Sequence, residues 1–203
     1  MYIPQSNAFN DRSEIIDFIK RFSFGTIITT INEKPVATHL PFIIEDRAGV
    51  LVVISHFALG NSQWKSIESE NNLFIFSEPH AYISPAHYES EINVPTWNYI
   101  SVHLYGKCTI IKDPKKVTEI LEHTIENYEI GYKDQWNKLP LDYKSSMIKG
   151  IVAFECIVDD IQAKKKLSQN KTLKEQGSII ETLSKSNDTN EQAVAAYMKK
   201  NLD

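Results

Sequence analysis

Four stretches of this 203-residue chain gather polar and aromatic side chains beside prolines. They are Thr38-His39-Leu40-Pro41, the run from His56 to Lys65 (HFALGNSQWK), residues 79–85 (PHAYISP) and residues 94–99 (VPTWNY). Two of the three tryptophans and three of the six histidines lie in them. A flat heteroaromatic ligand with an anionic tail needs this mixture. Rings and prolines wall its plane, amides and hydroxyls read its edge, and a cation or a helix N-terminus holds the anion. Asn61 and Lys65, four apart, share one face of a short helix expected over residues 58–67. The same residues also suit loops that pack on one another, or a subunit interface.

Other chemistries are excluded by type and spacing. The histidines form no HExxH and no helical i,i+4 pair, so zinc is not indicated. Cys108 and Cys156 fall inside expected strands and read as small buried apolar residues. The seven glycines are never closer than eleven positions, which rules out GxGxxG, the Walker loop and the GxSxG elbow. A net charge of −4 provides no global field for nucleic acid, so DNA contact requires a local patch. Lys164, Lys165, Lys166, Lys171 and Lys174 are the candidate cations. Trp136 reads as a cover over the helices around it. The longest apolar run, Ala193–Met198, is far short of a membrane span, and residues 1–7 lack the features of a signal peptide. A cytoplasmic protein without membrane contact is the expectation.

These groups have to be positioned by a β-rich scaffold. Asn10 or Asp11 caps a first helix whose Ile15, Ile16, Ile19 and Phe22 share a face. Strands are expected over 24–31 and 35–44, joined by a hairpin turn at Asn32-Glu33-Lys34, and over 50–55, 73–77, 101–110 and 151–158. Residues 79–95 read as irregular. Asp113-Pro114 opens a helix with its stripe at Val117, Ile120, Leu121, Ile125 and Tyr128. Another helix follows Pro140, and two weak ones occupy the last 35 or so residues. The fold class is α+β: an antiparallel barrel with flanking helices and a helical tail.

The blocks PVATHLPF (35–42), NSQW (61–64), PHAYISP (79–85), VPTWNY (94–99), VHLYGK (102–107), GIVAFE (150–155) and KLSQN (166–170) resemble PaiB-family proteins along nearly the whole chain. These are bacterial flavin-binding split-barrel proteins, distantly related to pyridoxamine 5′-phosphate oxidase. The resemblance implies a six-stranded Greek-key split barrel over residues 1–170 with a tail over 171–203. It implies a homodimer holding FMN at its interface, and negative control of transcription; a flavin-dependent oxidoreductase or a flavin-free interaction module are the alternatives. By position, Thr38, His39, Leu40 and Pro41 would lie beneath the flavin, and His56, Asn61, Trp64 and Lys65 around its phosphate and ribityl chain. Lys166, Ser168, Gln169 and Asn170 would close the site, and Tyr82, Ser84, Thr96, Trp97 and Asn98 complete the cofactor set. The chain departs from the family pattern at Leu59, where an arginine is usual, at Ser62, usually proline, and at Ala86-His87-Tyr88, usually Ser-Trp-Tyr. Loss of the arginine removes one charge-assisted phosphate bond, about 10- to 100-fold in affinity.

Overall fold

The computed structural model describes residues 1–202. Asp11 caps α1 (Arg12–Arg21) by accepting the Glu14 amide at 2.8 Å. Then come β1 (Phe24–Ile31), β2 (Lys34–Pro41), β3 (Ile43–Arg47), β4 (Val50–Ala58), β5 (Asn71–Ile83) and β6 (Thr96–Ile110). Three helices follow: α2 (Pro114–Tyr128), α3 (Lys133–Lys138) and α4 (Leu141–Lys149). The chain goes on through β7 (Ile151–Lys166), α5 (Leu173–Ser184) and α6 (Thr189–Lys200). The strands form one seven-stranded antiparallel sheet in the order β2-β1-β5-β6-β7-β4-β3.

The chain divides into two compact units that interleave in sequence. The first to be described comprises Phe18–Ile75 and Leu104–Ile161 and contains part of every strand. Its hairpin β1–β2 turns through Asn32 and Glu33, both at positive φ (50° and 64°), the conformation a two-residue turn needs to match strand twist. On β1 the alternate residues Gly25, Ile27 and Thr29 are buried. Phe42 packs edge-on against Phe74 (5.5 Å), and Phe57 stacks on Phe154 (5.1 Å). α2 is capped by Asp113, whose Oδ1 accepts the Lys115 amide at 3.0 Å, and Pro114 stands where an N–H would lack a partner. Its Ile120 packs on Ile43, Val52 and Ile54. Trp136 is buried, with its indole N–H on Glu122.

β2 and β3 stand at opposite ends of the strand order, yet Phe42 alone joins them. Seven strands laid flat would put those ends about 29 Å apart, more than one linking residue can reach. The sheet therefore curls back on itself. Ser55 of β4 ties the seam by donating to the Pro41 carbonyl of β2 at 2.7 Å. The Phe42 amide bonds the Ser23 carbonyl at 2.9 Å, and Phe42 is fully buried. At Gly106 of β6 a Cβ would sit 2.2 Å from the Ile157 carbonyl oxygen, so only glycine permits this approach to β7.

The other unit comprises Met1–Asp17, Phe76–His103 and the chain from Gln162 on. Thr172 and Glu175 form a reciprocal capping box at the start of α5, and Asp188 caps α6. Ile179, Val194 and Met198 of these helices are buried, as are Ile83 and Ile100.

Three expectations are corrected. The sheet has seven strands instead of six, because the single run read over 35–44 changes ladder partners at Phe42. Residues 58–67 are not a helix: β4 ends at Ala58, and a five-residue 3-10 turn spans Ser62–Ser66. Strands β5, β6 and β7 also extend well beyond their expected limits, β5 through Pro79.

Candidate functional site

The proposed ligand residues fall in two places, one in each compact unit. In the unit built on β1–β4, the exposed strand β2 carries Thr38, His39, Leu40 and Pro41. Asn61 ends the loop after β4, and its side-chain oxygen accepts the Gln63 amide at 3.0 Å, which caps the 3-10 turn. The Asn61 amide nitrogen donates to Thr38 Oγ1 at 2.9 Å, and Thr38 Oγ1 donates to Gln63 Oε1 at 2.6 Å. Gln63 is buried, and its amide nitrogen reaches the Val36 carbonyl (3.1 Å), Thr29 Oγ1 (3.1 Å) and the Ile27 carbonyl (3.3 Å). One buried amide therefore fixes the turn to both strands of the first hairpin.

The side chains left on the outside of this network are those suited to a ring and an anion. The Trp64 indole N–H donates to the Leu59 carbonyl at 3.0 Å, and the Lys65 amine lies 5.8 Å from the Trp64 ring centre. Lys65 is exposed and makes no ion pair among the described residues. His39 is exposed and stacks on Phe24 at 6.4 Å. His56 is half-buried on β4, and burial holds its pKa below the ordinary value, so it is a neutral imidazole. The phosphate site expected at a helix start loses that helix, and Asn61 is already engaged at both side-chain ends. Lys65 remains the available cation.

In the second unit, Thr96 accepts from the Lys166 amine, and Ser168 donates to Asn98 Oδ1 at 3.1 Å. Gln169 folds back on its own loop, accepting from the Leu167 amide (2.7 Å) and donating to the Lys165 carbonyl (2.6 Å). Asn170 is exposed on the same loop. Thr96, Asn98, Lys166, Ser168 and Asn170 share the lining of a cavity of about 320 Å³. Trp97 lies outside it with Tyr82 and His80, at ring separations of 5.9 and 6.0 Å, and both Trp97 and Tyr82 are exposed. Ser84 instead caps the 3-10 turn Pro85–His87.

Gln63 and Tyr88 are not among the ligand residues expected from the sequence, and Lys171 is expected only as a cation toward DNA. Gln63 sits in the NSQW block, but its contacts come from strand backbone and leave no spacing signal. Tyr88 and Lys171 also line the cavity; Lys171 reads in sequence as one cation of a surface run. The five lysines of that run are engaged within the chain. Lys164 is buried against Tyr2 and Tyr99, and Lys165 pairs with Glu14 at 2.7 Å. Lys166 bonds Thr96, Lys171 bonds Asn93 at 2.8 Å, and Lys174 pairs with Glu89.

Cys108 and Cys156 are buried, and the hydrogen bond between them together with burial drives the Cys108 thiol far above its ordinary range. Neither is a nucleophile. Among the described residues no His/Cys/Asp/Glu group could hold a metal, and no helix is long and apolar enough to cross a membrane.

This curled sheet and its helices place the chain with flavin proteins of known structure, by fold. The flavocytochrome Anf3 of Azotobacter vinelandii superposes with a TM-score of 0.65 at 18% identity, over 81% of this chain and 72% of that one. The FAD and heme binding protein of Mycobacterium smegmatis gives 0.62 at 15% identity, over 79% and 73%. At the level of sequence, the family model described as "Putative FMN-binding domain" matches residues 1–160, and the chain belongs to that family, the PaiB family. It is 40% identical to the Protease synthase and sporulation protein PAI 2 of Bacillus subtilis, over 100% of this chain and 98% of that protein.

Proposed function

We propose that the chain is an FMN-binding split-barrel protein, acting as a homodimer in negative control of gene expression. The observation that carries the flavin reading is the network Thr38–Asn61–Gln63, which fixes a polar rim while leaving Trp64, Lys65, His39 and the neutral His56 outside it. The donor set fits the cofactor. Trp64 and His39 suit the ring and its edge, and the Lys65 ammonium suits a phosphate. Bound FMN would supply redox chemistry; the chain's residues bind, orient and shield it.

The dimer reading is supported by what one chain leaves uncovered. Most of β2 is exposed, and Tyr82, Ile92, Val94 and Trp97 are large apolar side chains open to solvent. Aromatic residues in such positions are enriched at subunit interfaces. The regulatory reading rests on full-length similarity to the sporulation protein of Bacillus subtilis. Direct DNA contact through Lys164, Lys165, Lys166, Lys171 and Lys174 finds little support, because each is already held by a neighbour in the chain. Control through the state of a bound ligand suits this geometry better.

The visible spectrum of purified protein tests the cofactor. A flavin band near 450 nm, retained or regained on adding FMN, is expected (roughly, since protein tunes cofactor electronics). A colourless protein that ignores added FMN would overturn it. Light scattering at micromolar concentration should give twice the chain mass; a stable monomer would remove the dimer.

A further inference from the structure

One face of β3, β4 and β7, covered by α2, holds a cleft of about 430 Å³. Its nine lining residues all belong to the unit built on β1–β4, and none is in the proposed flavin set. In the ladders Ile43 faces Ile54, Glu45 faces Val52 and Arg47 faces Val50. Ile54 also faces Glu155 across the β4–β7 ladder. Strand alternation therefore puts Glu45, Arg47, Ile54 and Glu155 on one side of the sheet. α2 lies over that side, with Ile120 against Ile43, Val52 and Ile54. Its Lys116, Glu119 and His123 recur at helical spacing and line the same cleft.

The floor is apolar and the rim carries both signs of charge. Ile54 is buried, and Ile111 and Ile120 are half-buried beside it. On the rim, Arg47 Nε donates to Glu45 Oε2 at 2.7 Å and Nη1 donates to Glu155 Oε2 at 2.8 Å. His123 Nδ1 lies 3.2 Å from Glu45 Oε1, so both oxygens of Glu45 are used. Two of the five N–H groups of Arg47 are taken and three are left; Glu155 keeps Oε1. Lys116 and Glu119 are exposed and form no ion pair among the described residues. The unused capacity is thus balanced: ammonium and guanidinium donors beside carboxylate oxygens, above three isoleucines.

A ligand of one sign does not fit such a rim. An anion drawn to Lys116 and Arg47 faces Glu119 and Glu155, and a cation drawn to the carboxylates faces the two bases. Nor are the carboxylates a metal cage, since no His/Cys/Asp/Glu group among the described residues could hold a metal. We propose that the cleft binds a free α-amino acid with an aliphatic side chain, of the size of leucine, as a second ligand besides the flavin. Its carboxylate meets the Lys116 ammonium and the open N–H groups of Arg47. Its ammonium meets Glu119 and Oε1 of Glu155, and its side chain covers the isoleucine floor. The inference goes beyond the flavin reading and rests on none of the residues that carry it.

Calorimetric titration of L-leucine into the protein as purified, at constant ionic strength and with its flavin content measured, tests this. One saturable site per chain is expected. N-acetyl-L-leucine, which lacks the ammonium, and L-leucinamide, which lacks the carboxylate, should each bind about 10-fold or more weaker. Glycine, which lacks the side chain, should lose about as much. Lys116→Gln and Glu119→Gln, both at exposed positions without an ion pair, should each weaken L-leucine about 5-fold. The melting temperature and FMN affinity should stay unchanged in both. A colourless protein that binds L-leucine in this way fails only the flavin reading, so the two outcomes are distinguishable. Absence of saturable L-leucine binding, equal affinity for leucine and either blocked form, or unchanged affinity in either variant would overturn the proposal.

Discussion

Gln63 and Asn98 are both buried side-chain amides, one in each compact unit, and they are used in opposite ways. Gln63 is saturated. Its nitrogen meets two backbone carbonyls and a hydroxyl, its oxygen accepts from Thr38, and all these partners are oxygens. Asn98 accepts from Ser168 but turns its nitrogen to a sulfur. An amide that is fully bonded within the protein holds structure, and a ligand beside it sees only its consequences. One whose nitrogen meets only a sulfur contributes less to the fold than its burial suggests.

The largest expected effect tests the saturated side. Gln63→Leu keeps the bulk but leaves the Val36 and Ile27 carbonyls and the Thr38 hydroxyl without their partner, so stability should fall by about 3 kcal/mol in urea denaturation. A loss below about 1 kcal/mol would mean that the network is ornamental to the fold. Next, Lys65→Ala should weaken FMN about 10-fold, one charge-assisted bond, and leave riboflavin, which has no phosphate, almost unaffected. Equal losses for both ligands would show that Lys65 supports structure.

On the under-used side, Asn98→Leu should cost only about 1 kcal/mol in stability, mainly for the Ser168 hydroxyl left behind. A cost equal to that of Gln63→Leu would erase the distinction between the two amides. The smallest effect is in pH dependence. Burial lowers the pKa of His56, and burial with the positive N-terminus lowers that of His103. Each folded imidazole then resists a proton that the unfolded chain accepts near pH 6.5. Their contribution to stability is complete above about pH 6.5 and is lost as pH falls through the lowered folded values. His56→Asn and His103→Asn should each flatten the decline measured by thermal melting between neutral and mildly acidic pH.

Much of the scaffold is legible in the residues. β1 occupies the expected 24–31, because its alternation reports burial on one face. α2 begins at the expected Asp113-Pro114, because a cap is local chemistry. The break at Phe42 is not legible: the run from Val36 to Ile44 looks continuous, and the change of partner from β1 to β4 is a tertiary event. Asp159 and Asp160 likewise suggest that a strand ends near Val158, yet β7 continues through both exposed residues to Lys166. In the site, the polar types of Thr38 and Asn61 mark them out, whereas Gln63 acquires its role only when β1 and β2 bring their backbone to it.

The seam closed by Phe42 also has a consequence during synthesis. β4 pairs along one edge with β3, which precedes it immediately, but its other edge pairs with β7, where Val52 meets Ile157 about a hundred residues later. At ribosomal rates of about 5–20 residues per second, that edge stays open for roughly 5 to 20 s while the intervening chain is made. Through that interval the run Leu51-Val52-Val53-Ile54, uncharged and β-branched at three of its positions, is a template that any other extended segment can join. Glu45, Asp46 and Arg47 of β3, paired with Val52, Leu51 and Val50 at its finished border, are the nearest charges to discourage it. Production at lower temperature, or with a chaperone that covers open strand edges, should therefore raise the yield of native protein more than any change in the mature sheet would.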